Sequence, residues 1–221
     1  MSSPVNSPAG DSGGPPSQAD RAYLALRDEI LALTLPPGAP VQEEPITQRL
    51  GVGRTPFREA VKRLQAESLI VIYPRRGSFV TEVNIGDHAL IADVRRRLEG
   101  HAAWRAAERA TEAERTGIDE LRRELGDLTS SQAPIMDLDA RVHRGIYRCT
   151  HNHYLESTLN QYYNLALRIW SLFFDRLPDV TGHVGEHDDL LKAVIAGEGE
   201  RADRIATAHV DHFEQAVRQV I

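Results

Sequence analysis

Apolar positions recur at helical spacing along most of the chain. Tyr23, Leu26, Ile30 and Leu33 share one face of a segment from about Arg21 to Leu33, the pattern of an amphipathic helix. Asp20 is placed to cap it, and Pro36-Pro37-Gly38 ends it. A second helix runs from about Glu44 to Leu50 and buries Ile46 and Leu50. After the turn Gly51-Val52-Gly53, a third helix opens at Thr55-Pro56, with Thr55 as cap and Pro56 in the first helical position. Phe57, Val61 and Leu64 face inward, leaving Arg54, Arg58, Lys62 and Arg63 outward, with Arg63 spaced to brace Glu67. Leu69–Tyr73 and Ser78–Thr81 flank Pro74-Arg75-Arg76-Gly77, which predicts a hairpin with a basic tip. Three helices and a hairpin make a winged helix-turn-helix, whose third helix enters the DNA major groove.

From Asn84 onward the period is almost purely helical. It predicts helices at about 86–110, 112–128, 134–149, 152–176, 182–197 and 199–220, with no strand pattern and no internal repeat. The fold class is therefore mostly α, a winged helix-turn-helix followed by an all-α antiparallel bundle. Residues 1–19, rich in Ser, Pro and Gly and nearly uncharged, read as a disordered tail. The DNA-binding unit is placed at 20–83 and the helical unit at 84–221.

Charge sharpens the division. The chain carries −6 overall, yet residues 41–80 hold 7 basic and 4 acidic residues, a balance of +3, leaving −6 − 3 = −9 elsewhere. One DNA-facing module on an acidic body fits that asymmetry. No apolar run reaches the roughly 18–20 residues that span a bilayer, and the first residues lack the basic and apolar regions of a signal peptide. The single cysteine, Cys149, forms no internal disulfide and fits a reducing cytoplasm, with packing as its role.

The helical half contains a candidate metal constellation. Asp139 and His143, four residues apart, share a helix face. His187 opens a later helix above Leu190, Leu191, Val194 and Ile195, and His209 lies mid-helix in Ala-Thr-Ala-His-Val. Three imidazoles and a carboxylate on separate bundle helices suit a divalent transition metal, zinc first, with nickel, manganese or iron as alternatives. His183, four residues before His187, is a decoy that could replace it, whereas His88, His101, His151, His153 and His212 read as packed or solvated.

Taken together these residues resemble the GntR family of bacterial transcription regulators, in its FadR-like branch with an FCD-type effector domain. The resemblance rests on Pro37-Gly38, Leu50-Gly51-Val52, Arg54-Thr55-Pro56-Phe57-Arg58-Glu59-Ala60, Arg63-Leu64 and Arg76-Gly77-Ser78-Phe79-Val80. In the second half it rests on Arg95, Leu98-Glu99, Asp139, His143, Asn152, His187 and His209. It implies a homodimer on a palindromic operator in double-stranded DNA, commonly a repressor, released by a small carboxylate effector beside a metal in the FCD-like domain. The matching metal ligands are Asp139, His143, His187 and His209. The matching DNA contacts are Arg54, Thr55, Arg58 and Lys62 in the recognition helix and Arg75, Arg76 and Gly77 in the wing. Arg95 and Arg168 are candidate counter-charges for the effector. Gly53 stands where the family usually has Ser or Thr, so one phosphate contact is expected to be missing. Glu44 replaces an Arg that contacts DNA in some members.

A rival reading is a metal-dependent hydrolase or lyase with an accessory winged module, since open metal coordination can activate water. Glu99 or Asp188 would have to serve as its base, and no nucleophile motif or oxyanion loop accompanies them.

Overall fold

A computed structural model describes residues 15–126, 132–177 and 180–220, and for 132–134 the backbone alone. Residues 1–14 of the expected tail, positions 127–128 of the expected 112–128 helix and Pro178 lie outside these residues. The elements are α1 (Gln18–Leu31), α2 (Glu43–Leu50), α3 (Arg54–Ala66), β1 (Ile70–Tyr73), β2 (Gly77–Val80), α4 (His88–Arg109), α5 (Glu112–Leu125), α6 (Gln132–Cys149), α7 (His153–Phe173), α8 (Val180–Gly185), α9 (His187–Ala196) and α10 (Gly199–Arg218). Contacts divide the chain into one unit of residues 1–29 and 38–81 and another of 30–37 and 82–221.

In the first unit, Ala22 and Leu26 of α1, Ile46 of α2, Phe57, Ala60, Val61 and Leu64 of α3, and Ile70 and Val80 of the hairpin form the buried core. Helix α1 starts three residues before the expected Arg21. Its cap is Ser17, whose hydroxyl accepts the Asp20 N–H at 3.1 Å and donates to the Asp20 carboxylate at 2.7 Å. Asp20 therefore lies inside the first turn, where it takes Arg63 at 2.7 Å. Arg63 also covers the Tyr23 ring at 4.1 Å, and the Tyr23 hydroxyl bonds Glu67 at 2.9 Å. The expected Arg63–Glu67 brace is thus replaced by a bond to Asp20. At the turn, Gly51 takes φ +62 and ends α2 in the left-handed conformation that glycine adopts without strain.

The cap of α3 also differs from expectation. Gly53, extended at ψ 165, is the N-cap, so Thr55 and Pro56 fall inside the first turn. There the missing proline N–H still costs nothing. The Gly53 N–H is taken by the Gln18 side chain at 3.0 Å. The wing pairs β1 with β2 antiparallel, Ile70 opposite Val80 and Tyr73 opposite Gly77. It also has a third edge absent from the sequence reading: residues 38–41 bond β2 through Gly38–Val80, Val80–Ala39 and Val41–Ser78, at 2.8–3.1 Å.

The second unit is helical among its described residues. Helix α4 packs on α6, α7, α9 and α10, and its face to that core is small: Ala103, Ala106 and Ala107. A Cβ on Gly100 would run into the Asp203 and Thr207 side chains, which marks how closely α10 approaches α4. Two expected helices are interrupted. The α-helical part of 152–176 ends at Phe173 and closes in a 3₁₀ turn. The expected 182–197 helix divides at Glu186 into α8 and α9.

Candidate functional site

The DNA-facing candidates are all exposed in the first unit. Helix α3 buries Phe57, Ala60, Val61 and Leu64 and exposes Arg54, Thr55, Arg58 and Lys62. Burial on one stripe leaves the other face free to lie against a groove. Arg75, with φ +62, and Gly77, with φ +101, turn the wing tip, and Arg75, Arg76 and Gly77 are all exposed. Glu43, the first residue of α2, faces the recognition helix. Its carboxylate accepts Arg58 Nε at 2.7 Å and Nη2 at 3.3 Å, and lies 3.6 Å from Arg54 Nε. The Arg58 guanidinium holds the Glu43 carboxyl below the ordinary carboxylate range.

The four metal candidates converge in the second unit. Asp139 and His143 come from α6, His187 from the start of α9 and His209 from α10, and all are buried. Their ligand atoms lie within 4.8 Å of one another. His143 Nε2 and His187 Nε2 are 3.3 Å apart, and Asp139 Oδ1 is 3.8 Å from the first and 3.7 Å from the second. His183 is outside this quartet and stacks on the His209 ring at 4.1 Å. Of the two residues left open by spacing, His187 is the one brought to the cluster.

Each ligand is oriented from behind. His143 Nδ1 lies 2.9 Å from Glu99 Oε2, His187 Nδ1 lies 3.0 Å from the Val184 carbonyl, and His209 Nδ1 lies 3.0 Å from Glu186. These acceptors place the ring protons on Nδ1 and leave the Nε2 lone pairs facing inward. Tyr163 donates to Asp139 Oδ2 at 2.7 Å, whereas Oδ1 is buried with no hydrogen-bond partner. Inward lone pairs and an orphaned carboxylate oxygen repel one another unless a cation lies among them, so the donor set fits a divalent transition metal. Burial pushes His187 down to about 3 and His209 well below its ordinary value. Both rings are thus neutral and available as ligands. Burial alone would raise Glu99, but Arg95 and His143 outweigh it and hold the carboxyl below the ordinary range.

A small pocket adjoins the quartet, lined by Arg95, Tyr163, Trp170, His183 and Phe213 among others. Arg95 lines it while its Nε donates to Glu99 at 2.7 Å. Arg168 does not line it. Tyr163, Ala166, Leu167 and Trp170 occupy the cavity side of α7, and Arg168 lies about 100° around the helix from Leu167. Burial lowers the Arg168 guanidinium to about 10, partly offset by Glu82, which leaves it charged at neutral pH. Trp170 and Phe213 are cavity walls. Glu186 and Tyr163 were missed as supports in the sequence, although Glu186 immediately precedes His187. The enzyme rival loses its bases. Glu99 is locked by Arg95 and His143, and Asp188 pairs with Lys192 at 2.5 Å and Arg122 at 3.3 Å.

Comparison with known proteins agrees with both halves. Residues 18–80 match the model for bacterial regulatory proteins of the gntR family, and residues 90–212 match the FCD domain. The HTH-type transcriptional repressor RspR of Escherichia coli K12 is 26% identical over 200 residues, covering 90% of this chain and 88% of that protein. The HTH-type transcriptional regulator LutR of Bacillus subtilis is 24% identical over 194 residues, 78% of this chain and 88% of its own. The solved structure of E. coli McbR/YncC shares the fold, with a TM-score of 0.80 at 20% identity over 92% of this chain and 98% of that one. No helix among the described residues is long and apolar enough to cross a membrane. The chain belongs to the GntR family of DNA-binding transcription regulators, with an FCD domain as its helical half, and is a regulator rather than an enzyme.

Proposed function

We propose that this regulator acts in the cytoplasm as a homodimeric repressor on a palindromic operator, and that a small carboxylate beside a metal held by Asp139, His143, His187 and His209 controls its release. The observation that carries this reading is the buried quartet, three imidazoles with Nδ1 satisfied and a carboxylate with one orphaned oxygen. Zinc suits that donor set best. When bound, the metal supplies a Lewis-acidic centre that attracts a carboxylate. The chain's own contribution is Arg95, whose N–H groups beyond the Glu99 bond are a second anchor for an anion. Effector binding must then favour one arrangement of the DNA-binding units over another.

On DNA, Arg54 and Arg58 read base edges, most simply guanine through forked contacts, while Thr55, Lys62 and the wing residues Arg75, Arg76 and Gly77 position the protein on phosphates. Selection of random duplex DNA by the purified protein, with sequencing, tests this directly. An enriched palindrome is expected, and Arg58→Ala should cost about 1–3 kcal/mol and blunt its sequence preference. Elemental analysis should find close to one transition metal per chain, lost on His187→Ala. No enrichment, or an Arg58→Ala profile equal to that of the parent, would overturn the DNA assignment. A metal-free protein that cannot be loaded with zinc, nickel or manganese would overturn the effector site.

A further inference from the structure

Glu43 faces the recognition helix with a function of its own. A guanidinium has five N–H groups, one on Nε and two on each terminal nitrogen. Glu43 accepts from Nε at 2.7 Å and from Nη2 at 3.3 Å, and so covers the side edge of Arg58. The end-on pair, one N–H from each of Nη1 and Nη2, is left uncovered by Glu43. Those parallel donors match the N7 and O6 acceptors of guanine in the major groove. The same carboxylate lies 3.6 Å from Arg54 Nε, so one acid constrains both arginines of the recognition helix. Glu43 is the less mobile partner by placement: it is the first residue of α2, where a negative charge meets the positive end of the helix, and its side chain is 28% exposed while those of Arg54 and Arg58 are 79% and 66% exposed.

We propose that Glu43 is a positioning residue for base readout, holding the side edge of Arg58 so that its end-on fork presents to guanine. The inference rests on the reading that Arg58 contacts a base. A carboxylate this close to DNA also repels phosphate, so Glu43 lowers affinity for all sequences while sharpening discrimination at one base pair. A carboxylate that only masked Arg58 until DNA displaced it would have the opposite signature, since its removal would tighten operator and random DNA alike and leave their ratio unchanged.

A double-mutant cycle of Glu43→Ala and Arg58→Ala separates these, measured on the selected operator, on operators substituted one base pair at a time, and on random duplex. Circular dichroism confirms that each variant keeps its helices. Arg58→Ala alone tests the underlying reading: it must flatten preference at one base pair per half-site. Given that, Glu43→Ala should tighten binding to random duplex and cut discrimination at that same base pair by at least fivefold, within the roughly 5- to 140-fold that a good forked contact supplies. In the Arg58→Ala background the loss of discrimination should vanish while the gain on random duplex remains. Glu43→Gln, which keeps one acceptor, should fall between parent and Glu43→Ala. Unchanged discrimination in Glu43→Ala, or a loss at base pairs that Arg58→Ala does not affect, would overturn the proposal.

Discussion

His187 has two ring nitrogens with different neighbours, one on the Val184 carbonyl and one in the buried quartet. Burial pushes its pKa from 6.5 to about 3, and the sign of the consequence follows. The unfolded ring binds a proton below about 6.5 and the folded ring resists it. The stability this neutral ring contributes is fully present above 6.5 and is lost as the pH falls towards 3. The melting temperature of metal-stripped protein should therefore drop steadily between pH 6.5 and 4; a flat profile there would contradict the burial argument. Cys149 gives a second expectation at this scale. Burial raises its thiol to about 11, so little thiolate exists at neutral pH. A thiol-specific reagent at pH 8 should label the folded protein far more slowly than the protein in denaturant, and equal rates would refute its packed role.

At the scale of elements, Arg115 ties two helix ends together. From α5 it donates to the Ala107 and Ala110 carbonyls at the end of α4 and to those of Val194 and Ile195 at the end of α9, at 2.6–3.1 Å. Terminal carbonyls lack partners inside their own helix and carry the negative end of its dipole, so one guanidinium satisfies both ends. Arg115→Ala should cost about 2–4 kcal/mol, and Arg115→Lys, keeping the charge without the fork, should cost less; thermal melts read both. The sequence had announced α4, α5 and α9 by their apolar period but not what joins their ends. It had also announced the turn at Gly51 and the inward face of α3, because those depend on neighbours in the chain. It missed what depends on distant partners. The third wing edge at 38–41 needs β2 beside it. At Glu186, where α8 gives way to α9, the carboxylate reaches across to His209 and His212 at 3.0 and 2.8 Å. The four quartet residues were legible as residue types in the right order, and Glu99 among the residues of the resemblance, whereas Glu186 is an ordinary acid until the fold brings the His209 ring to it.

For the whole molecule, charge divides between a basic recognition face and an acidic body, and the buried quartet belongs to the acidic body. A metal that binds only the folded chain stabilises it by mass action, about 2.7 kcal/mol at a hundredfold excess over its dissociation constant. Chelation should lower the melting temperature, zinc should restore it, and His209→Ala should abolish the difference; an identical melt with and without chelator would remove the metal from the fold's energetics. The quartet also spans three different helices, with His143 and His187 separated by 187 − 143 = 44 positions and His187 and His209 by 209 − 187 = 22. An ion held by all three closes two loops, as a pair of covalent cross-links would, and loops of such lengths are each worth about 3–4 kcal/mol in restricted chain entropy. A chain with one buried cysteine has no sulfur route to that restraint. Its bundle would carry a staple that acid or a chelator can withdraw, and the resistance of the α8–α9 segment to proteases would then report the supply of metal in the cell.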